Sequence, residues 1–371
     1  MTPKPLRILW VVVKKLLIFA ISTVVLVVVG ELVARAAEPG PFALFDENPY
    51  EKGKLGLRQF HKPNFAGRWD GTWYGTNSMG LRGPELDKDK VEGEFRVVAL
   101  GDSCTFGKSV VDEDTWPRQL ETLLRTELPG QTVNVANCGV NGFAGKDYIK
   151  MWQKVGQRLS PDLVVVGYNL NDFPNVLKKI DEKTTKQAPV RQAVKKVVGG
   201  KKNLDSLNQY ALFRFARAFY YDMTRAKAWQ DSEKFAEESK NDPKLKEIKH
   251  TNWKIKDEAH VEALEEQVKT LRDLIQASGA NMALFLFPYE SQVYLEKYDK
   301  TPIERLREIC EKLDVPFVSL AEEFRAEATK SDPPREMFVY GDRYHPRPIG
   351  YRIVAENVLR VVEERGWLAN D

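Results

Sequence analysis

The chain has 371 residues, 43% hydrophobic and 29% charged, a composition that fits a folded protein with a sizeable core and excludes a disordered or fibrous one. Its 56 Lys and Arg against 53 Asp and Glu leave a formal charge of +3, and no zinc-finger or helix-turn-helix spacing is present, so no nucleic-acid partner is expected. Three cysteines, Cys104, Cys138 and Cys310, form neither a disulfide framework nor a metal-ligand pattern, and a Cys104–Cys138 bridge would need a fold that brings the two together.

Residues 1–15 carry Lys4, Arg7, Lys14 and Lys15 and read as a basic cytoplasmic leader. The following run, LLIFAISTVVLVVVG over 16–30, is uncharged and strongly apolar. It is shorter than the roughly 20 residues that span a hydrocarbon core, and it extends to Ala36 if Glu31 and Arg35 reach toward the headgroups. Residues 16–36 are therefore expected to be a transmembrane signal anchor. The basic flank would keep the N-terminus cytoplasmic and leave the rest of this single-pass protein extracytoplasmic, in the periplasm or at the cell surface. A signal peptide cut after Ala34-Arg35-Ala36 is the competing expectation. The long leader, and Glu31 between the apolar run and that cut site, favour the anchor.

Residues 37–92 are rich in Pro, Gly, Asn and aromatics, and read as a linker with a small hairpin at GRWDGTWYGTN. Residues 93–371 then alternate strand and helix patterns. FRVVAL (95–100), TVNVAN (132–137), PDLVVVGYN (161–169), NMALFLFP (281–288) and VPFVSL (315–320) are short apolar strands. Amphipathic helices are expected over 112–128, 146–159, 260–279, 302–314 and 348–365. The Lys-rich stretch 173–255 breaks this rhythm and reads as an inserted helical lid or as a solvated surface insertion. Five apolar strands separated by helices indicate an α/β domain whose parallel sheet is covered on both faces. Active residues in such sheets gather at the carboxyl ends of the strands.

Those ends carry Gly101-Asp102-Ser103, then Asn137-Cys138-Gly139, then Asn169-Leu170-Asn171-Asp172, and, after the fifth strand, Asp342-Arg343-Tyr344-His345-Pro346. Each stretch alone is ordinary turn or cap chemistry. As a set, in this order, GDSCTFG, NCGVNG, NLND and DRYHP resemble the four blocks of the SGNH (GDSL-type) hydrolase family over about residues 95–365. NSMGLRGPE (77–85) after an apolar segment resembles a leader of membrane-anchored bacterial members. The resemblance implies a flavodoxin-like three-layer α/β/α sandwich with a five-stranded parallel sheet, here behind an N-terminal transmembrane helix. One departure is visible: the third block usually begins with Gly, and Asn169 stands there, which predicts an altered loop geometry with the functional Asn171 retained.

The chemistry also follows from the residues. A serine hydroxyl needs a base, and of the four histidines only His345 lies in a loop that reaches the sheet edge. Asp342 stands three residues earlier and can hold the other imidazole nitrogen. The N–H groups of Ser103 and Gly139 and the amide of Asn171 are the expected oxyanion donors, Asp102 is expected to support the turn, and Lys108 and Tyr344 to stand near the pocket. The expected activity is serine-dependent hydrolysis of an ester on a carbohydrate or lipid, through an acyl-Ser103 intermediate and with no cofactor or metal. The same residues could instead serve an O-acyltransferase supplied by a membrane acyltransferase partner, or a non-catalytic membrane-tethered binding factor.

Overall fold

The five apolar runs form the strands β5 (Phe95–Gly101), β6 (Val133–Gly139), β7 (Leu163–Asn169), β8 (Asn281–Phe287) and β9 (Phe317–Ser319). They pair into one parallel sheet in the order β6–β5–β7–β8–β9. In order of appearance this is 2-1-3-4-5, the flavodoxin-like winding. The computed structural model describes residues 4–38, 41–172, 207, 209–217, 219–220, 258–294, 298, 300–331, 335–339, 342 and 344–368, with backbone alone for 4–9 and 171. Most of the expected 173–255 insertion lies outside the described residues.

β5 and β7 are buried along their whole length, which is why they read as continuous apolar runs. Their alternate residues serve opposite faces. Val98 and Leu100 pack under α4 (Gly145–Lys154), α5 (Glu258–Gln276) and α7 (Thr301–Lys312). Val97 and Ala99 pack under α3 (Trp116–Glu127), α8 (Ala321–Ala328) and α9 (Pro348–Glu364). The expected helix over 112–128 divides into a 3-10 turn, Asp112–Asp114, and α3, whose first turn holds Pro117. Three helices had no sequence expectation: α8, the five-residue α6 (Glu290–Tyr294) and the four-residue α2 (Ser103–Phe106). All three cysteines are free and buried, so no Cys104–Cys138 bridge forms.

Residues 50–86 are part of the domain and not a free linker. They form two antiparallel hairpins, β1 (Tyr50–Lys52) with β2 (Gln59–His61), and β3 (Ala66–Trp69) with β4 (Thr72–Gly75). The second turns on Asp70-Gly71, both at positive φ, the left-handed pair that a two-residue hairpin loop requires. Leu57, Phe60, Leu81 and Leu86 enter the same core as Val98 and Leu100. The reason is the edge of the sheet. β6 has an open side, and Arg82 covers it by an antiparallel bridge to Asn137.

The first helix, α1 (Lys4–Ala37), contains a stretch, Trp10–Ala37, whose most apolar 18 residues have a mean hydropathy of 2.7 and which is long and apolar enough to cross a membrane. Glu31 and Arg35 do not reach outward from it. Glu31 accepts the N–H groups of Ala211 and Leu212, both at 2.8 Å, and Arg35 donates to Gln209 O at 2.6 Å and pairs with Glu31 at 2.7 Å. The folded domain supplies the partners that these side chains were expected to seek in headgroups.

At the carboxyl edge the register sets three glycines abreast, Gly101 opposite both Gly139 and Gly167. Helix α2 lies directly on this floor. A Cβ at Gly101 would stand 2.0 Å from Thr105 Oγ1, and one at Gly139 would stand 2.2 Å from Phe106 N. Side chains at these positions would lift α2, and Ser103 with it. Gly139→Ala collides with backbone that has no rotamer to yield, so we expect a loss of about 1–3 kcal/mol, as for other overpacked cores. Thermal unfolding of the detergent-solubilised chain measures it, and an unchanged melting temperature would contradict the role of the floor.

Candidate active site

Ser103 begins α2 where β5 ends. Asp102, with φ −95° and ψ −144°, is the cap, and its Oδ1 accepts the Cys104 N–H at 2.8 Å. This is the turn-supporting place expected of Asp102. The Ser103 hydroxyl donates to His345 Nε2 at 2.8 Å and lies 3.4 Å from Asp102 Oδ2. His345 Nδ1 donates to Asp342 Oδ2 at 2.6 Å. A carboxylate can only accept, so Nδ1 carries the proton and Nε2 is the lone pair that faces Ser103. Ser103 and His345 are separated by 242 positions in the chain and are both buried.

The loop that carries His345 is held at several points. Phe338 and Pro346 form an antiparallel bridge, Val339 N–H donates to His345 O at 2.9 Å, and Arg347 N–H donates to Met337 O at 2.9 Å. Asp342 Oδ1 accepts the N–H groups of Tyr344 at 3.1 Å and of His345 at 3.3 Å. Burial would raise the Asp342 carboxyl, but the His345 charge and hydrogen bond, with Lys108 and the Tyr344 N–H, outweigh it and hold the group well below the usual carboxylate range. Asp342 is therefore ionised wherever the chain is folded near neutral pH, and it is set to stabilise an imidazolium. Lys108 pairs with Asp70 at 3.2 Å, and the Tyr344 ring lies against those of His345 and Tyr289.

The expected oxyanion donors divide. Ser103 N–H stands at the start of α2, at the strand edge. The side chain of Asn171 lies outside the described residues, and its backbone is in the 3-10 turn Leu170–Asp172 that follows β7 at the same edge. Gly139 is corrected. Its N–H donates to Asn137 Oδ1 at 3.0 Å, and its Cα faces the backbone of α2. The glycine is there for close approach of the protein's own helix, and its donor is already used. In the loop after β6, Gly142 sits at φ +74°, and its N–H has no acceptor among the described residues.

Asn169, the departure in the third block, joins three of the strand-end loops. Its Nδ2 donates to Cys104 Sγ at 3.2 Å, and the Cys104 thiol donates to Tyr344 O at 3.3 Å. A glycine could not make this link, so the side chain at 169 ties the Ser103 turn to the His345 loop. Burial, reinforced by the Asp102 charge, raises the Cys104 thiol well above its ordinary value and keeps it a protonated donor.

Asp172 accepts the Tyr148 hydroxyl at 2.5 Å and the Asn169 N–H at 2.6 Å. Burial, then the Asp102 charge, pushes its carboxyl well up. Arg82 lies in the NSMGLRGPE stretch and is also absent from the sequence expectation for the site. It is buried and donates to the carbonyls of Phe106 and Gly107, at 2.9 and 2.6 Å, and of Val110 at 2.6 Å, and so fixes the far end of α2. Its position before the first block was the available signal. Among the described residues no group of three or more His, Cys, Asp or Glu is placed to hold a metal ion.

A serine, imidazole and carboxylate in one hydrogen-bonded line at the carboxyl edge of a doubly wound sheet define a class of hydrolase. The model of the GDSL-like Lipase/Acylhydrolase family matches residues 99–353, and the chain belongs to that family of ester-hydrolysing enzymes. No curated protein matches the chain. Among solved structures it is similar to the acetyl xylan esterase AlAXEase, with 15% identity, TM-score 0.41, and coverage of 72% of this chain and 100% of that one. It is also similar to a lipase/acylhydrolase from Enterococcus faecalis, with 15% identity, TM-score 0.41, and 73% and 96% coverage. A third is a catalytic mutant of the acetylxylan esterase Axe2 from Geobacillus stearothermophilus, with 13% identity, TM-score 0.42, and 75% and 95% coverage.

Asp342→Asn keeps the shape of the site but cannot fix the Nδ1–H tautomer. We expect kcat for ester turnover to fall by about 10³–10⁴-fold, the scale of the same change in other serine–histidine–aspartate sites. The folded Asp342 pKa is depressed, so its contribution to stability is full above the unfolded carboxylate pKa of about 3.9 and is lost as pH falls below that value. Melting temperatures read from neutral to acid pH should therefore fall more steeply in the wild type than in Asp342→Asn. Parallel curves would contradict the depressed carboxyl.

Proposed function

We propose that the protein is a serine-dependent ester hydrolase of the extracytoplasmic face, which deacylates a carbohydrate or lipid ester through an acyl-Ser103 intermediate. The observation that carries this reading is the line of hydrogen bonds from Ser103 Oγ to His345 Nε2 and from His345 Nδ1 to Asp342. His345 takes the Ser103 proton as Oγ attacks the ester carbonyl, and Asp342 stabilises the imidazolium. The proton then passes to the leaving alkoxide. Water, activated by the same imidazole, attacks the acyl-serine, and Ser103 leaves with the proton returned.

The negative oxygen of each tetrahedral intermediate would be met by Ser103 N–H, by Gly142 N–H in place of Gly139, and by the Asn171 amide. Each such donor is worth ~2.7–4 kcal/mol. Retention of α1 as an anchor is supported by the joint it makes. Cleavage after Ala36 would remove Glu31, which accepts Ala211 and Leu212, and Arg35, which is buried against the domain. The basic flank before the apolar run supports a cytoplasmic N-terminus.

The test is turnover of p-nitrophenyl acetate by the full chain in detergent, with a fluorophosphonate probe read by intact mass. The wild type should hydrolyse the ester and take up one probe. Ser103→Ala should lose both, and His345→Ala should lose about 10³-fold or more of the turnover while it remains folded. Probe labelling that persists in Ser103→Ala would overturn the assignment of the nucleophile.

A further inference from the structure

Among the described residues outside α1, exposed large aromatics gather where α1 meets the domain. Phe42, Phe45, Tyr210, Phe215, Phe219 and Tyr220 are each 46–77% exposed. Single exposed aromatics are ordinary, but six on two adjoining segments are not. The two segments are held together by charge. Arg214, in the short helix over 211–217, pairs with Glu38 at 2.6 Å and Asp46 at 3.1 Å, and Arg68 pairs with Glu38 at 2.7 Å and donates to Pro41 O at 2.8 Å. Arg35, Arg68 and Asp46 are almost wholly enclosed. These ion pairs and hydrogen bonds give the patch a defined height relative to α1.

That height is the membrane surface. At 1.5 Å per residue the uncharged stretch from Leu16 to Gly30 covers about 22 Å, and one or two further turns complete the roughly 30 Å hydrocarbon core. The 211–217 helix docks at this level. Glu31 accepts its first N–H groups, and Leu212 Cδ2 lies 3.6 Å from where a Cβ on Gly30 would be. Aromatic rings at the emerging end of a spanning helix sit at headgroup depth, where one side is apolar and the other wet.

The same joint reaches the site. The hairpin tip Asp70-Gly71 touches both, with Gly71 against Arg214 and Glu38 and with Asp70 paired to Lys108, five residues after Ser103. Arg217, on the 211–217 helix, is within electrostatic reach of the Tyr344 phenol beside His345. We infer that the aromatic patch lies in the headgroup layer and holds the mouth of the Ser103 site against the bilayer, so that the substrate is an ester carried by an amphiphile in that leaflet. This inference rests on the ester-hydrolase reading for its substrate class and on α1 as a membrane span for its geometry.

Two measurements on the full chain in phosphatidylcholine–phosphatidylglycerol vesicles test it. The native cysteines are buried, so Phe219→Cys can be labelled selectively with an environment-sensitive fluorophore. Lipids with a nitroxide near the headgroup should quench that label and leave one at Glu308→Cys, on the exposed face of α7, unquenched. Equal quenching, or none at 219, overturns the placement. In the second, the double variant Phe215→Ser/Phe219→Ser should hydrolyse p-nitrophenyl palmitate held in vesicles about tenfold or more slowly, because the two exposed rings would no longer be buried in the headgroup layer. Its turnover of dissolved p-nitrophenyl acetate should be unchanged. Equal rates for wild type and variant on the vesicle-borne ester overturn the substrate class. A wild type that hydrolyses neither ester refutes the hydrolase reading and the substrate class together, and the quenching then decides the placement alone.

Discussion

Helix α2 has to sit lower than any side chain would allow. It starts at the end of β5, turns at Asp102, and rests on the backbone of β5, β6 and β7 at Gly101, Gly139 and Gly167. Everything at the site is measured from that floor. Ser103 Oγ is 2.8 Å from His345 because the helix is neither tilted nor raised, and Asn169 reaches Cys104 from β7 because the same helix brings the thiol down to it. Arg82 then holds the other end of α2 through the carbonyls of Phe106, Gly107 and Val110, and so a segment that lies before the sheet in the chain completes the turn that carries Ser103.

Electrostatics set the acids around Ser103 apart. Asp102, Asp172 and Asp342 are all drawn into the interior around Ser103, and burial alone would neutralise each of them. Asp102 also feels the His345 charge and accepts backbone N–H groups, yet burial wins there; only Asp342 adds a direct hydrogen bond from the imidazole and the field of Lys108, and of the three it alone is pushed down. Asp172 meets a phenol and one N–H but no cation, and it is pushed up, with the charge of Asp102 adding to the effect. Asp342 is thus the carboxylate held ionised beside His345, while Asp102 and Asp172 are shifted the other way and accept backbone N–H groups around it.

The attachment of α1 is built from the same materials on a larger scale. An apolar helix needs no partner in a membrane, but the last turns of α1 carry Glu31 and Arg35, and Glu38 follows them, and leaving these unpaired at the edge of a bilayer would be costly. The hairpin and the 211–217 helix satisfy them with Arg68, Arg214 and backbone N–H groups. One charged joint thus ties together the end of α1, the hairpin tip and Lys108, and so connects the apolar helix to the edge of the candidate site.

The sequence by itself determined the five strands, five of the covering helices and the three side chains, Ser103, Asp342 and His345, that meet at the sheet edge. Local period, apolar continuity and four short blocks report on these directly, because a strand buried on both faces must be apolar throughout and a nucleophile needs a base. Tertiary structure alone decided the rest. The role of Gly139 depended on what packs above it, and Asn137, two residues away on the same strand, took its N–H. Asn169 became a link, and not merely a deviation from a block, because Cys104 and Tyr344 arrive beside it from 65 positions back and 175 positions on. Residues 50–86 read as a linker because their composition is that of loops, yet the open side of β6 had to be covered and their Leu57, Phe60 and Leu81 had to be buried. Composition and spacing describe neighbours along the chain, whereas a hydrogen-bond partner or a steric floor is a neighbour in space, and only folding brings those together.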